Sequence, residues 1–281
     1  MKIKKILNKL LRLHPKSIDL SLYRIQRLLK SLNNPEKKLQ NCIQVIGTNG
    51  KFSICSTLRE IYETAGYKVN MHISPSVRKF NERYYFSSEQ INDDRLYKLL
   101  SEVEKINKGQ PITFHEIITA AFFLEAARTK AHLNILEAGL FFRLDASNVL
   151  DKNIASIISP IGMDHKDFLK EGTIDEIIFE KCSKLLNGSK IIVAEQTSFE
   201  ILNKINKIIR SNSSKKIICG NDFKYEKTPN GFNFINNSGS LSLPKPNLLG
   251  DYQYGNISTA IATVKELDQF KVNQSHIITA L

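Results

Sequence analysis

The stretch Cys42–Ser53, CIQVIGTNGKFS, decides the fold. Cys42–Ile46 is an apolar run with the length of a buried strand, and from Ser53 to Ala65 the spacing turns helical and closes at Gly66. Between them lies a turn of small residues. A strand-to-helix turn of this kind exposes backbone N–H groups, and the helix N-terminus adds a partial positive charge; together they cradle an anion. From such a cradle Lys51 reaches terminal phosphate oxygens and the Ser53 hydroxyl faces magnesium. The Walker A pattern is not strictly met. Val45 stands where its first glycine would be, and Phe52 separates Lys51 from Ser53. An ordinary βα turn is the alternative, but Gly47, Gly50, Lys51 and Ser53 together in this setting favour phosphate binding.

Outward from this turn, short apolar runs alternate with helical patterns. Strands are predicted at Lys68–Ile73, Leu133–Leu140, Ile154–Ile158, Lys190–Ala194 and Lys216–Cys219. Helices are predicted at Phe114–Thr129, Asp175–Leu186, Phe199–Arg210 and Tyr254–Leu267. The alternation implies an α/β fold, a doubly wound, mostly parallel sheet flanked by helices, with ligands beyond the carboxyl ends of its strands. The texture changes after Gly220. Turn signals at Pro-Asn-Gly and Asn-Asn-Ser-Gly break Phe223–Leu243 into short alternating runs, which read as β-hairpins and a small β-rich segment.

Composition narrows the function classes. With 281 residues and 42% hydrophobic content, the chain has material for one large domain or two small ones. It has no apolar run long enough to span a membrane. The opening MKIKKILNKLLRLHPKS is basic and then apolar, but Lys9, Arg12, His14 and Lys16 interrupt it, so an amphipathic helix is expected rather than a signal peptide. Cys42, Cys55, Cys182 and Cys219 form no CxxC pair and match no zinc spacing; reduced thiols in a cytoplasmic protein follow, with Cys42 and Cys219 as small core residues. The net charge of +12 fits nucleic acid or anionic small molecules. The lysines are scattered and no aromatic-plus-basic nucleic-acid motif is present, which disfavours the first.

Several motifs occur in an order that carries a family resemblance. GTNGK with a spaced serine, followed by SPSVRKFNER (Ser74–Arg83), resembles the GTNGKGS and SPH…FNER segments of the folylpolyglutamate synthase/dihydrofolate synthase family of the Mur ligase superfamily. LHPKSIDLSLYRI (Leu13–Ile25) and TFHE (Thr113–Glu116) resemble further family segments, as do LEAGLFFRLDASNV (Leu136–Val149), PIGMDHKDFL (Pro160–Leu169), Glu180-Lys181 and LLGDYQYGNISTAIA (Leu248–Ala262). The match spans almost the whole chain.

The resemblance implies an ATP- and magnesium-dependent amide ligase. Such an enzyme activates a dihydropteroate or folate carboxylate as an acyl phosphate, which the amine of L-glutamate attacks. It implies ATP contacts at Gly47, Thr48, Asn49, Gly50, Lys51, Phe52, Ser53 and Asn256. Two magnesium sites are implied, with Ser53, Ser74, Glu137 and His165 as ligands. On the residues alone, Glu137 is equally a ligand or an exposed strand end, His165 a structural histidine and Ser74 a turn residue. The resemblance also makes Lys181 a carbamylated lysine, where the residues alone show a solvated one on an amphipathic helix. Pteroate or folate contacts are implied at Ser17, Ile18, Asp19, Thr113, Phe114, His115, Glu116, Arg143, Leu144 and Asp145. Asp19 is otherwise an N-cap candidate, and core roles stay open for Phe114 and Ile18. His14, His72, His132 and His276 have no motif support and are read as structural.

Four departures stand out. Phe52 replaces a loop glycine, and a bulky residue costs about 1–2 kcal/mol if that position needs positive φ. Phe141-Phe142 replaces Gly-Gly beside the substrate segment, and Tyr252 replaces a histidine beside the nucleotide helix. The family's C-terminal domain, entered through a WPGR-like segment, has no counterpart before Leu281, and the chain has no Trp. The whole chain is therefore expected to be one ATP-binding domain, with residues 1–40 as a helical substrate segment and 223–243 as a hairpin segment. A closing two-domain site is not expected from this polypeptide alone, so an active, monomeric ligase is expected either by assembly with a separately encoded C-terminal half or as part of a longer chain. The alternatives are an inactive remnant that binds nucleotide or pterin, and a basic nucleic-acid-binding protein.

Overall fold

Strand β1 (Cys42–Ile46) lies inside the main sheet, paired in parallel with β5 (Leu133–Glu137) on one side and β6 (Ala155–Ile158) on the other. All residues of these three strands are buried, as expected where helices cover both faces of a parallel sheet. The computed structural model describes residues 2–14 and 20–281. Ser17, Ile18 and Asp19, read above as substrate contacts, lie outside the described residues.

The sheet continues outward through β2 (Val69–His72), beyond β5, and through β7 (Lys190–Val193) and β8 (Lys215–Ile218), beyond β6; all of these pairs are parallel. Its eight strands close with an antiparallel edge, β3 (Tyr84–Phe86) and β4 (Glu89–Gln90), giving the order β4-β3-β2-β5-β1-β6-β7-β8. The sequence reading missed this edge hairpin. Its turn places Ser87 and Ser88 at φ 52° and 71°, where glycine or asparagine is the usual signal. Asn70 Oδ1 accepts from the Ser87 amide at 2.8 Å and Ser88 Oγ from the Val69 amide at 3.1 Å, so bonds to the start of β2 hold a turn that its own residues do not announce.

Three packed clusters hold the helices. α1 (Lys2–Leu11), α2 (Tyr23–Ser31), α4 (Asp93–Asn107) and α5 (Phe114–Arg128) share one core with Leu136. α3 (Lys51–Thr64), α8 (Tyr252–Glu266) and α9 (Gln274–Ala280) share a second with the inner face of the small sheet. α6 (Ile174–Cys182) and α7 (Phe199–Ile209) pack over the β6–β7 side together with Phe141 and Phe142. The small sheet is three antiparallel strands, β9 (Phe223–Thr228), β10 (Gly231–Asn236) and β11 (Gly239–Pro244). Alternate residues Phe232 and Phe234 are buried against the α8 side, the period-2 pattern of a strand with one wet face.

The expected elements are present with shifted ends. Helix α3 begins at Lys51 rather than Ser53, β5 stops at Glu137 rather than Leu140, and α6 stops at Cys182 rather than Leu186. The early start of α3 changes the reading of Phe52. It sits in the first helical turn and takes no positive φ, so the expected strain does not arise; its ring is 43% exposed. Phe141 and Phe142 are buried rather than exposed, because they fill the core beside α6. Cys42, Cys55 and Cys182 are buried thiols and Cys219 a half-buried one, none of them in a disulfide. No helix among the described residues is long and apolar enough to cross a membrane.

Candidate functional site

The loop after β1 is tied down from below. The amides of Thr48 and Asn49 donate to the Pro160 carbonyl at 3.1 and 3.0 Å, and Thr48 Oγ1 donates to the Gly162 carbonyl. Pro160 follows β6, so the neighbouring strand fixes the loop. The first amides of α3 carry no side-chain cap, whereas α4, α5, α6, α7 and α9 are capped by Asn92, Thr113, Thr173, Ser198 and Asn273. That leaves uncapped donors and the positive end of the helix dipole pointing out of the loop.

Gly50 sits at φ 77°, and a Cβ there would lie 2.2 Å from Asn256 Oδ1. Asn256 is buried in α8 and its Nδ2 donates to Gln253 Oε1 at 3.0 Å, so its side chain would have to shift against that bond. Gly50→Ala is therefore expected to destabilise the fold by roughly 1–3 kcal/mol through combined strain and overpacking. Thermal unfolding checks this; a melting temperature equal to that of the unchanged protein would contradict it.

Two lysines meet at the loop. Lys51 Nζ donates back to the carbonyls of Gly47 and Thr48, both at 3.1 Å. Lys181 Nζ is buried and donates to the Gly47 carbonyl at 2.9 Å and to the Leu140 carbonyl at 3.1 Å. Burial lowers its pKa to about 8, and the nearby charge of Lys51 pushes the same way. The ring of Phe141 lies 5.5 Å below the ammonium. Lys181 was read from the residues alone as solvated; it is instead the buried link between the phosphate loop and the segment after β5.

Glu137 ends β5 beside this loop. Its carboxylate is buried and accepts from the Ser74 amide at 3.1 Å. Burial raises its pKa to about 7, against the opposing charges of Lys51 and Arg83. Arg83 Nη1 donates to Ser74 Oγ at 3.1 Å, so the SPSVRKFNER loop closes on itself next to Glu137. His165 stands apart, half exposed, with Asp164 Oδ2 at 3.2 Å and the rings of Phe141 and Phe168 edge-on. Burial lowers its pKa, Asp164 opposes, and Lys181 and Lys51 add to the lowering.

Magnesium takes one or two carboxylates, hydroxyls and substrate phosphates rather than an all-protein cage. A buried carboxylate with a raised pKa, facing a phosphate loop that carries Ser53, fits that demand. Among the described residues no group of three or more His, Cys, Asp or Glu side chains could hold a metal, so at Glu137 and His165 alike hydroxyls and substrate oxygens would complete the set.

One cleft borders the loop, and a second lies past Leu140 and Phe141. The first, of about 690 Å³, is lined by Asn49 and Gly50 of the loop, by Asn256 and Tyr252 of α8, and by residues after β7. The other, of about 210 Å³, is lined by Thr113, His115, Glu116, Leu144 and Asp145. In the second, His115 Nε2 and Asp145 Oδ2 pair at 3.1 Å. Burial opposes the charge on each, but the partner prevails, raising His115 and lowering Asp145. Thr113 and Glu116 form the capping box of α5, and Glu116 also accepts from Arg24 Nε at 2.9 Å. Arg143 grips Glu180 through two nitrogens; Glu180 lines this cleft, and Arg143 lines the neighbouring one on its other side. Phe114 turns instead toward Phe80, ring centroids 5.9 Å apart, in the N-terminal core.

His14 and Arg24 line the same cleft, though neither was singled out from the sequence. His14 was read as structural, and its position inside LHPKS was the available signal.

With this geometry in view, residues 45–264 match the Mur ligase middle domain. The chain belongs to the Mur ligase family. Its relatives place it on the folylpolyglutamate synthase/dihydrofolate synthase branch. It is 36% identical over 179 residues to a dihydrofolate synthase/folylpolyglutamate synthase of Bacillus subtilis, covering 61% of this chain and 41% of that one. It is 27% identical over 264 residues to a dihydrofolate synthetase of Saccharomyces cerevisiae, covering 92% and 59%. Escherichia coli FolC, solved in complex with DHPP and ADP, superposes with a TM-score of 0.88 at 27% identity, covering 99% of this chain and 65% of that one. The chain thus spans about half the length of the curated relatives it matches.

Proposed function

We propose that this Mur ligase family chain serves an ATP-dependent ligase that joins L-glutamate to dihydropteroate or a folate. One observation carries the reading. Lys181 physically ties the phosphate loop, which borders one cleft, to Leu140, which borders the other. A nucleotide on the loop and an acid in the second cleft would therefore meet at one place, beside Lys51, Lys181 and Glu137. The likeness to FolC bound to DHPP and ADP supports the same assignment of the two clefts.

The chemistry follows from that meeting. A carboxylate oxygen of the acid attacks the γ-phosphorus of ATP, ADP leaves, and an acyl phosphate forms. The glutamate amine then attacks the acyl carbon, phosphate leaves, and the amine gives up its proton. Gly47, Thr48, Asn49, Gly50, Phe52 and Asn256 shape the nucleotide seat, while Lys51 holds the charge that moves to the leaving phosphate. Ser53, Ser74 and Glu137 would hold magnesium, with His165 at a second position; when bound, the metal neutralises the transferring phosphoryl group. Thr113, His115, Glu116, Arg143, Leu144 and Asp145 form or brace the acid's seat.

Purified protein given dihydropteroate, L-glutamate, ATP and magnesium is expected to release ADP in step with a glutamate conjugate. ADP release without conjugate, or no turnover with any pteroate or folate acid even when a homologous C-terminal domain is added, would overturn the reading.

Lys181 is proposed to take up carbon dioxide. Its pKa of about 8 keeps a far larger neutral fraction at neutral pH than an exposed lysine has. Protein equilibrated with ¹³C-bicarbonate is expected to show a carbamate carbon by NMR that Lys181→Arg lacks. The same signal in both proteins would rule the modification out at this residue.

A further inference from the structure

The nucleotide cleft is built from three places in the chain. The loop after β1 supplies Asn49 and Gly50, helix α8 supplies Tyr252, Gly255 and Asn256, and the segment after β7 supplies Glu195, Gln196 and Thr197. Tyr225, from β9 of the small sheet, completes it. Neither Glu195 nor Tyr225 has a role in phosphate binding, and neither belongs to a motif picked out of the sequence.

Their arrangement is specific. Tyr225 Oη donates to Glu195 Oε2 at 2.7 Å. The tyrosine ring lies nearly parallel to Tyr254, with centroids 6.4 Å apart, so its position is braced by α8. A Cβ on Gly255 would already touch Tyr225 Oη at 3.6 Å and Glu195 Oε2 at 3.7 Å, so the glycine brings the helix backbone against the pair. One carboxylate oxygen is thus pinned by a phenol, which leaves Oε1 as the acceptor offered to a ligand.

Sheet order sets the distance from the phosphates. β6 lies between β1 and β7, so Glu195 stands two strand spacings from the phosphate loop, roughly 10 Å along the carboxyl edge of the sheet. The base of an extended nucleotide stands off its phosphates by a distance of the same order. A carboxylate at that distance cannot serve the phosphates, which it would repel. It suits a neutral base that carries a donor.

We infer that Glu195, held by Tyr225, reads the base of the bound nucleotide: it accepts from an exocyclic amine such as the 6-amino group of adenine and turns away a 6-oxo purine. This rests on the nucleotide reading above and gives it a specificity. A 6-oxo group would set a second acceptor against the carboxylate, with no proton between them. The small sheet thereby acquires a task, since its first strand carries the residue that fixes the reader.

Calorimetry with ATP and ITP, which differ at this position of the base, tests the assignment. The unchanged protein is expected to prefer ATP by about tenfold or more, the scale of one hydrogen bond to a charged group. Glu195→Gln is expected to bring the ratio close to one, because its amide both donates and accepts. Tyr225→Phe should lower the ratio less, by loosening the carboxylate. Lys51→Ala should weaken both nucleotides and leave the ratio intact. If Glu195→Gln keeps the original ratio while ATP still binds, the inference is overturned and the nucleotide reading stands. If the unchanged protein binds neither nucleotide, the nucleotide reading falls and this inference falls with it.

Discussion

Lys51→Ala is expected to weaken ATP binding roughly 100-fold, about 3 kcal/mol, while leaving the melting temperature of the nucleotide-free protein nearly unchanged. The two halves of this expectation come from one piece of geometry. Lys51 lies folded back on the loop, its ammonium donating to the Gly47 and Thr48 carbonyls at 3.1 Å each. Gly47 O keeps a second donor in Lys181 at 2.9 Å, so removing Lys51 strands little. The half-buried ammonium contributes modestly to the resting fold. Against a triphosphate the balance differs. The ammonium exchanges neutral carbonyls for anionic oxygens at the positive end of α3, where solvent is displaced and a charge pair is worth more. Titration calorimetry and thermal unfolding with and without ATP separate the two effects. Equal dissociation constants for the two proteins would sink the phosphate-loop assignment. A large loss of stability without nucleotide would show that Lys51 is a structural strut.

The strand, turn and helix around Lys51 were legible from the sequence because they are contiguous, although the bonds to Pro160 and Gly162 that hold the turn were not. The parallel sheet was legible for a related reason: β1, β5 and β6 are buried on both faces and so read as unbroken apolar runs. The edge hairpin was not, since Ser87 and Ser88 adopt their turn under the control of Asn70 and Val69, far from it in the chain. Lys181 shows the same limit at the site. On its own helix it looks like a surface lysine, and only the fold brings Gly47 and Leu140 to its ammonium. The backbone strain set against Phe52 does not arise, and the placement of Phe141-Phe142 is decided by neighbours distant in the chain. A helical first turn tolerates the one, and the space beside α6 takes up the others. Motif resemblance named Thr113 and Glu116 as substrate contacts, while their hydrogen bonds show them capping α5 and pairing Arg24 as well. Tyr225 escaped because its strand carries no chemical pattern, and Arg24, though inside the Leu13–Ile25 segment, because only the fold brings it to Glu116.

Glu137→Gln is expected to stabilise the metal-free protein and to abolish its stabilisation by magnesium and nucleotide. The carboxyl is buried with a pKa of about 7, while an unfolded glutamate titrates near its ordinary value of about 4.3. Between those values the folded state binds more protons than the unfolded one, so this group's contribution to stability falls as pH rises through that window. At pH 4 both states are protonated and the residue costs nothing. At pH 7 and above the buried charge costs about 3–4 kcal/mol, which for a chain of this size corresponds to ~6–16 °C in melting temperature. Glutamine keeps an oxygen for the Ser74 amide and carries no charge, so it escapes the penalty. The two proteins should therefore melt together near pH 4 in chelator and separate progressively toward pH 7, with the glutamine variant higher. Parallel melting curves across the whole range would contradict the claim that Glu137 is held against its burial. Magnesium with ATP should then reverse the order, since only the carboxylate gains a cation. A site that holds a charge at a cost to the fold is organised for a ligand that repays it. Lys51 and Arg83 are close enough to oppose the raised pKa, yet they do not restore it to the usual range. What holds it up is burial rather than an excess of negative charge, and a divalent cation at the proposed phosphate loop would offset that burial.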